Sequence, residues 1–386
     1  MMIKLRKKFF LYLTIGLVAF SFLEIPTGFI RTKITLLFAR ENSLVMDLSV
    51  YLEDCNVFCA DGATPLIVNV LLCDSNQKPV PYSRIQVQLN HFSAMMKPAH
   101  PVTGLDGQVT ITLFPQEPYQ FEQQSGVEPE NETPVSIAFS ARKATPIRWE
   151  GKMTNPPVLL VHGFQDTSES MVPLKDFLSG KALFVDSMDY DTNTNLPDMS
   201  DALDQALSDL MLGLKGRGIY AQRADIVAHS LGGLVTRYYT TQPSYLQKRN
   251  VHKVIFINAP HHGTPWAEAG AAILNSPFLE QLYPTSSLYT SVFPASINRG
   301  LNQTIQTGNI ALENDEVVPI PSSMLSSWDI ETKVFRIGSE PLTLEGVISN
   351  QISGNSRHRQ LLFYTPVFEE IYYDLTHTLP YPQERK

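Results

Sequence analysis

The chain has 386 residues, more than one typical domain needs and enough for two with a short leader. An apolar share of 43% and a charged share of 18% are globular values and imply a sizeable core. The net charge of −8 supplies no basic face, so no nucleic-acid partner is expected.

Lys4, Arg6, Lys7 and Lys8 form a basic start, and Phe9 to Leu23 then run without a charge as far as Glu24 and Pro26. A basic head before a short apolar run predicts an export signal or N-terminal membrane anchor within residues 1–30. The run is shorter than the roughly 18–20 residues of a comfortable membrane span. Ala19 and Ser21 are the small residues at which a signal would be cut. The rest of the chain is then exported: secreted, periplasmic or anchored outside the cytoplasm. Export would permit a Cys55–Cys59 bridge and leave Cys73 over. No cysteine follows Cys73, which excludes thiol chemistry from the larger part of the chain.

Residues 45–145 read as β-structure. Ile85, Val87 and Leu89 alternate with polar neighbours, as do Val109, Ile111 and Leu113, and then Val135, Ile137 and Phe139. Period two puts one face in a core and one in water. Asp74-Ser75-Asn76 and Leu105-Asp106-Gly107 supply turns between such runs. Short strands at these intervals predict a β-sandwich, with the polar, proline-rich stretch 116–133 as a long loop. Asp61-Gly62, Pro65–Leu72, Lys78-Pro79-Val80 and Thr103…Asp106-Gly107-Gln108-Val109 resemble the bacterial Ig-like domains of the invasin–intimin type. Gln77 departs from the glycine usual in that pattern. The resemblance implies a spacer or adhesion module and carries no chemistry.

From about residue 150 to 386 the pattern changes. Val158–Val161, Leu183–Val185, Ile226–Ala228, Val254–Ile257 and Val334–Ile337 are short apolar runs, as strands covered on both faces should be. Between them Leu203, Ala206, Leu207, Leu210, Met211 and Leu214 share one helix face, which Gly216 and Gly218 end. Strands alternating with helices predict an α/β fold, a mostly parallel sheet with helices on both sides.

Ala228-His229-Ser230-Leu231-Gly232-Gly233 sits between a strand and a helix predicted over Leu231–Thr241. That is the context of a nucleophile elbow, a tight turn that lifts a serine hydroxyl clear of the sheet. Small residues are required two places before and after the serine, and Ala228 and Gly232 meet that need. By itself the string is equally compatible with Ser230 as a helix N-cap.

His162-Gly163-Phe164 follows the first of these strands, so the Phe164 N–H can join that of Leu231 in an oxyanion hole. His162, Gly163 and His229 are the candidate substrate-binding residues, the His162 imidazole being read as a holder of the loop. A serine needs a base. Of the five histidines after Ser230, His358 lies in a polar loop beyond the last strand and is the candidate. Asp315, before Val317-Val318-Pro319, is the candidate acid, with Glu313 and Glu316 as rivals. The pair His261-His262 is read as pocket rim, because adjacent histidines at a strand end point apart and no cysteine or carboxylate spacing accompanies them. The apolar insertion 264–302 is expected to act as a lid or a fixed cap.

Taken together, Val161-His162-Gly163-Phe164, the Ser230 motif, Ala259–Pro265, Asp315 and His358 resemble the α/β-hydrolase superfamily. The likeness is greatest to bacterial triacylglycerol lipases and the inositol-deacylase-like group. It implies a serine carboxylic-ester hydrolase with a Ser230–His358–Asp315 triad, acting on a lipid or other acyl ester, with membrane contact and no cofactor. Some lipases of this type hold a structural calcium near the catalytic histidine; this sequence offers no carboxylate pair for it, and no metal is expected. Acyl transfer on the same triad, or a surface adhesion protein with an inactive hydrolase domain, are the alternatives. The oligomeric state is left open.

Overall fold

The computed structural model describes residues 44–116, 131–267, 277–338 and 356–383. The expected export segment, most of the loop 116–133 and part of the insertion 264–302 lie outside the described residues. Among the described residues no helix is long and apolar enough to cross a membrane.

Eight strands come first: β1 (Val45–Tyr51), β2 (Val57–Cys59), β3 (Leu66–Cys73), β4 (Gln86–Asn90), β5 (Ser93–Lys97), β6 (Gln108–Gln116), β7 (Thr133–Ser140) and β8 (Ile147–Thr154). One sheet is antiparallel in the order β1-β3-β6-β5. A second runs β2-β8-β7-β4. Alternate residues of both sheets meet in one core, Val68, Val70, Ile111 and Leu113 against Phe58, Ile137, Phe139 and Met153. These sheets run on to Thr154, whereas the sequence placed the end of the sandwich at 145. At the turn after β3, Asp74 Oδ1 accepts from the N–H groups of Asn76 and Lys78. Gln77 there takes φ +63°, the left-handed conformation that favours glycine.

The expected Cys55–Cys59 bridge is not formed; all three cysteines are free and buried. The two thiols belong to different cores. Cys55 packs inside the front sheets. Cys59 packs against Leu214, Ile219 and Ala221.

Six further strands form a third, larger sheet. They are β9 (Val158–Val161), β10 (Val185–Met188), β12 (Ala224–His229), β13 (Val251–Ile257), β14 (Gln306–Leu312) and β15 (Lys333–Phe335). Their order is β10-β9-β12-β13-β14-β15, and every pairing is parallel. β10 starts at the last residue of the run expected there, since Leu183 instead closes the preceding turn on Leu178. Helix α1 (Val172–Gly180) and the C-terminal helix Thr365–Thr376 cover one face, which receives Val158, Leu160, Val227 and Ile255. Helices α2 (Leu196–Gly216) and α3 (Leu231–Thr241) cover the other, which receives Leu159, Val161, Ile226 and Phe256. Successive strand residues thus bury on opposite faces, which is why these runs lack polar alternation. Asn195 starts α2 by accepting from the Asp198 N–H at 3.0 Å.

The front and back of the molecule share a sheet. The two-residue strand β11 (Ile219–Tyr220), which follows α2, pairs in parallel with β2. Beside it the fully buried Asp61 carboxylate takes five hydrogen bonds. Those from Ala63 N, Thr64 N and Thr64 Oγ1 are local, at 2.7 to 2.8 Å. Those from Gln222 N and Arg223 N, at 2.8 and 2.9 Å, cross to the back. Removing the acceptor would strand several buried donors, each worth about 1–3 kcal/mol. Asp61→Ala is therefore expected to lower the unfolding free energy by about 3–5 kcal/mol in urea titration. Glu53→Gln, which loses an exposed 3.1 Å bridge to Lys215 but keeps an oxygen for the Tyr51 hydroxyl, should leave the urea midpoint nearly unchanged.

Candidate active site

The loops that leave the C-terminal ends of β9, β12, β13 and β14 converge at one edge of the parallel sheet, where such folds place their ligands. Ser230 follows β12 with φ +52° and ψ −119°, a conformation that non-glycine residues rarely hold. Its N–H donates to the Ile257 carbonyl at 2.9 Å and its carbonyl accepts from Gly233 N at 3.0 Å. The turn closes only because Gly232 has no side chain. A Cβ there would stand 2.6 Å from the His162 carbonyl and 2.7 Å from that of Val161. The Ser230 side chain caps nothing; it faces outward from the turn.

His358 lies in the short helix Arg357–Gln360, whose start is capped by Ser356. Its Nε2 is 2.8 Å from Ser230 Oγ and its Nδ1 is 2.7 Å from Asp315 Oδ2. The neutral tautomer that suits both contacts carries its proton on Nδ1, donates it to Asp315, and accepts from the serine hydroxyl. Asp315 follows β14. Its Oδ1 accepts from Val317 N and Val318 N at 2.6 and 2.7 Å, and its Oδ2 also accepts from Asn258 Nδ2. The carboxylate is held from four directions, so it cannot swing away from the imidazole.

The rival acids point elsewhere. Glu313 is exposed and pairs with Arg336 at 3.2 Å. Glu316 accepts from the Arg357 N–H at 2.6 Å, and burial pushes its carboxyl upward from the ordinary range. His252, another histidine after Ser230, pairs with buried Asp225 at 2.8 Å below the sheet edge.

The Ser230 hydroxyl opens on a cavity of about 190 Å³. Gly163, Phe164, His229 and Leu231 line it, as do Leu279, Leu282 and Val317. The Leu231 N–H is in the first turn of α3 and has no acceptor within its helix. The Phe164 ring is held by stacking on Phe278 at 6.5 Å between centroids. The described part of the insertion 264–302 packs its Phe278, Leu279, Leu282, Leu288 and Phe293 into the core beside α3. It forms a wall of the cavity.

His162 is a correction. It does not line the cavity, contrary to its place among the candidate substrate-binding residues. It is fully buried and stacks on Tyr190 at 4.4 Å, and the Tyr190 hydroxyl donates to its carbonyl at 2.7 Å. The imidazole fills the space under the Gly163 turn, the holding role also read from the sequence. His229 touches the cavity but contributes from below. Its Nε2 is 3.1 Å from the His358 carbonyl, and burial keeps its ring neutral by lowering it well below the ordinary histidine range. His261 and His262 line a different cavity, while their neighbours Pro260 and Thr264 line this one. Among the described residues no group of three or more His, Cys, Asp or Glu side chains could hold a metal ion.

Asn258 is the residue that sequence reasoning passed over. It leaves β13 with φ +47°, which asparagine tolerates better than most. Besides its bond to Asp315, its Oδ1 accepts from Leu312 N at 3.0 Å, tying β14 to the site. An asparagine at the first position after an apolar strand was the available signal. Arg359 also lines the cavity and pairs with Asp166 at 2.8 Å across its rim.

A family model described as "Domain of unknown function (DUF7379)" matches residues 130–273. Among solved structures, the mature form of lipase BlEst2 from Bacillus licheniformis is 16% identical, with 57% of this chain and 92% of that chain covered at a TM-score of 0.38. Aspergillus fumigatus lipase B is 17% identical over 58% of this chain and 53% of its own, with a TM-score of 0.42. The ydeN gene product of B. subtilis is 15% identical over 56% and 97%, with a TM-score of 0.35.

Burial pulls the His358 imidazole down. The Asp315 charge and hydrogen bond, helped by Glu316 and Asp166, outweigh burial and set it above the ordinary 6.5. In Asp315→Asn burial should dominate, so NMR titration is expected to find the His358 ring titrating at lower pH than in the wild type. An unmoved titration would mean that Asp315 does not control this ring.

Proposed function

We propose that the protein is a serine carboxylic-ester hydrolase acting on acyl lipid esters, with Ser230 as nucleophile, His358 as base and Asp315 as the acid that orients it. The observation that carries this reading is the unbroken chain of contacts from Asp315 through His358 to Ser230, at 2.7 and 2.8 Å, on a strained turn beside a partly apolar cavity. As Ser230 Oγ attacks the ester carbonyl, His358 Nε2 takes the hydroxyl proton. The tetrahedral oxyanion rests on the Phe164 and Leu231 N–H groups. His358 then gives the proton to the leaving alcohol, and an acyl-Ser230 ester remains. A water molecule, deprotonated by the same ring, attacks that ester and releases the acid and the free serine. Asp315 stabilises the imidazolium formed in each half-reaction.

Phe164, Leu279, Leu282 and Val317 supply the apolar lining that an acyl chain requires. We read the front sheets as an Ig-like spacer and the N-terminal segment as the export signal or anchor that sends the chain outside the cytoplasm, next to lipid substrates.

Hydrolysis of a chromogenic short-chain ester by the purified chain tests the proposal. Ser230→Ala is expected to reduce kcat about 10⁴-fold or more. Equal rates for the two proteins would refute the mechanism. The base works only when neutral, so kcat/KM should fall on the acid side with a midpoint above 6.5.

Asn258→Gly keeps the positive φ but removes the amide that braces Asp315. It should lower kcat about 10- to 100-fold, the worth of one hydrogen bond to a charged group, and leave KM nearly unchanged. A change confined to KM would move Asn258 from positioning the acid to contacting substrate.

A further inference from the structure

A second cavity, of about 280 Å³, lies on the far side of the loop that follows β13. Its floor is Arg237, from the middle of α3, which is 1% exposed. The guanidinium Nε donates to the Gly300 carbonyl at 2.7 Å and Nη1 to the His261 carbonyl at 2.9 Å. Its plane lies over the rings of Phe293 and Trp328, at 4.1 and 5.3 Å from their centroids. Nη2 has no hydrogen-bond acceptor among the described residues. None of the lining residues is Asp or Glu.

A charge taken out of water normally finds a counter-charge, because its desolvation costs several kcal/mol. Arg237 meets two neutral carbonyls, the His261 imidazole, whose Nδ1 is 3.3 Å from Nη1, and two aromatic faces. Burial lowers it to about 10, which leaves it cationic at neutral pH. Its neighbours do not balance it. His261 and His262 are both pushed down by burial and next by the Arg237 charge, so they are neutral. Burial raises the Tyr289 phenol, which keeps its proton and donates to the Pro260 carbonyl at 2.9 Å. The cavity is open where Pro294, Arg299 and Ser327 are exposed.

The surrounding backbone is shaped to this arrangement. Asn298, Arg299 and Gly300 are three consecutive residues at positive φ, 49°, 56° and 93°. A Cβ at Gly300 would stand 2.9 Å from Arg237 Nη2 and 2.8 Å from Phe293 Cβ. This strained turn places a carbonyl on Nε while keeping the Nη2 edge clear.

We infer that this cavity binds a small oxyanion, a carboxylate or a phosphate, through the unused edge of the Arg237 guanidinium. With Nε and Nη1 engaged, the Nη2 amino group is the donor left for an anion oxygen, and the fixed guanidinium charge attracts the anion to it. The site is separate from Ser230, so the reading stands independently of ester hydrolysis.

Calorimetric titration of the full chain with sodium phosphate, and separately with sodium acetate, tests it at fixed ionic strength in chloride. Saturable binding of either anion is expected, and the preferred one identifies the oxyanion class. Arg237→Met and Ser327→Asp should each weaken binding about tenfold or more, the first by removing the donor and the second by placing a carboxylate at the mouth. Because Arg237 is buried and its variant could fail to fold, the exposed Ser327→Asp carries the decision in that event. Ser230→Ala should bind the anion as the wild type does. Absence of saturable binding of both anions, or wild-type affinity in Ser327→Asp, would overturn the inference.

Discussion

Ser230 sits where a buried parallel strand must become a helix within one residue, and the rest of the site is arranged around that turn. Its left-handed backbone is held by three things: the bond from its N–H to Ile257 on the neighbouring strand, the bond its carbonyl accepts from Gly233, and the bare backbone of Gly232 against the end of β9. A side chain at 232 would force the turn away from the end of β9. The same contact brings the Gly163–Phe164 loop against the serine, because the carbonyls that Gly232 approaches belong to Val161 and His162. One steric constraint therefore sets both the direction of the Ser230 hydroxyl and the position of the Phe164 loop beside it.

The partner groups are positioned by a different kind of force. Asp315 is buried and would be costly there without donors, yet it has two backbone N–H groups, an amide and an imidazole. The donors on Oδ1 come from its own loop, and those on Oδ2 come from other elements. A loop carboxylate becomes part of the sheet edge in this way. Glu316, one residue on, is also buried but faces the Arg357 backbone, and its charge acts on His358 only through space. The adjacent carboxyls thus have different tasks because alternate residues of the loop face opposite sides.

Legibility in the sequence follows how local each signal is. The α3 boundaries, the Ser230 turn and the apolar strands were readable because each is set by neighbours in the chain. His358 and Asp315 were readable as candidates from strand order, but Asp315 was separable from Glu313 and Glu316 only by the hydrogen bonds each accepts. Asn258 and Arg237 were not legible as site residues. An asparagine after a strand and an arginine on a helix acquire meaning only from groups tens of residues away, such as Asp315 and Gly300. His162 was legible as the holder of its loop, but Tyr190, which stacks on its ring from 28 residues away, was not legible as its partner. The pairing of β11 with β2 was invisible for a further reason. Two residues are too few to show a period, and the cysteines near β2 were read as a bridge when they serve two separate cores.

The loop from Asn258 to Thr264 divides the two cavities, and its residues are anchored alternately on either side. Asn258 braces the acid. Pro260 lines the Ser230 cavity while its carbonyl accepts from Tyr289 on the other side. The His261 carbonyl accepts from Arg237, and the His262 N–H donates to the Ser322 carbonyl at 3.0 Å. Thr264 Oγ1 then returns to the acid loop through the Val317 carbonyl. A segment pinned in this alternating way cannot shift toward one cavity without breaking bonds that face the other. The buried arginine thereby helps fix the backbone from which Asn258 reaches Asp315. Part of the precision at Ser230 comes from a charge that never touches it.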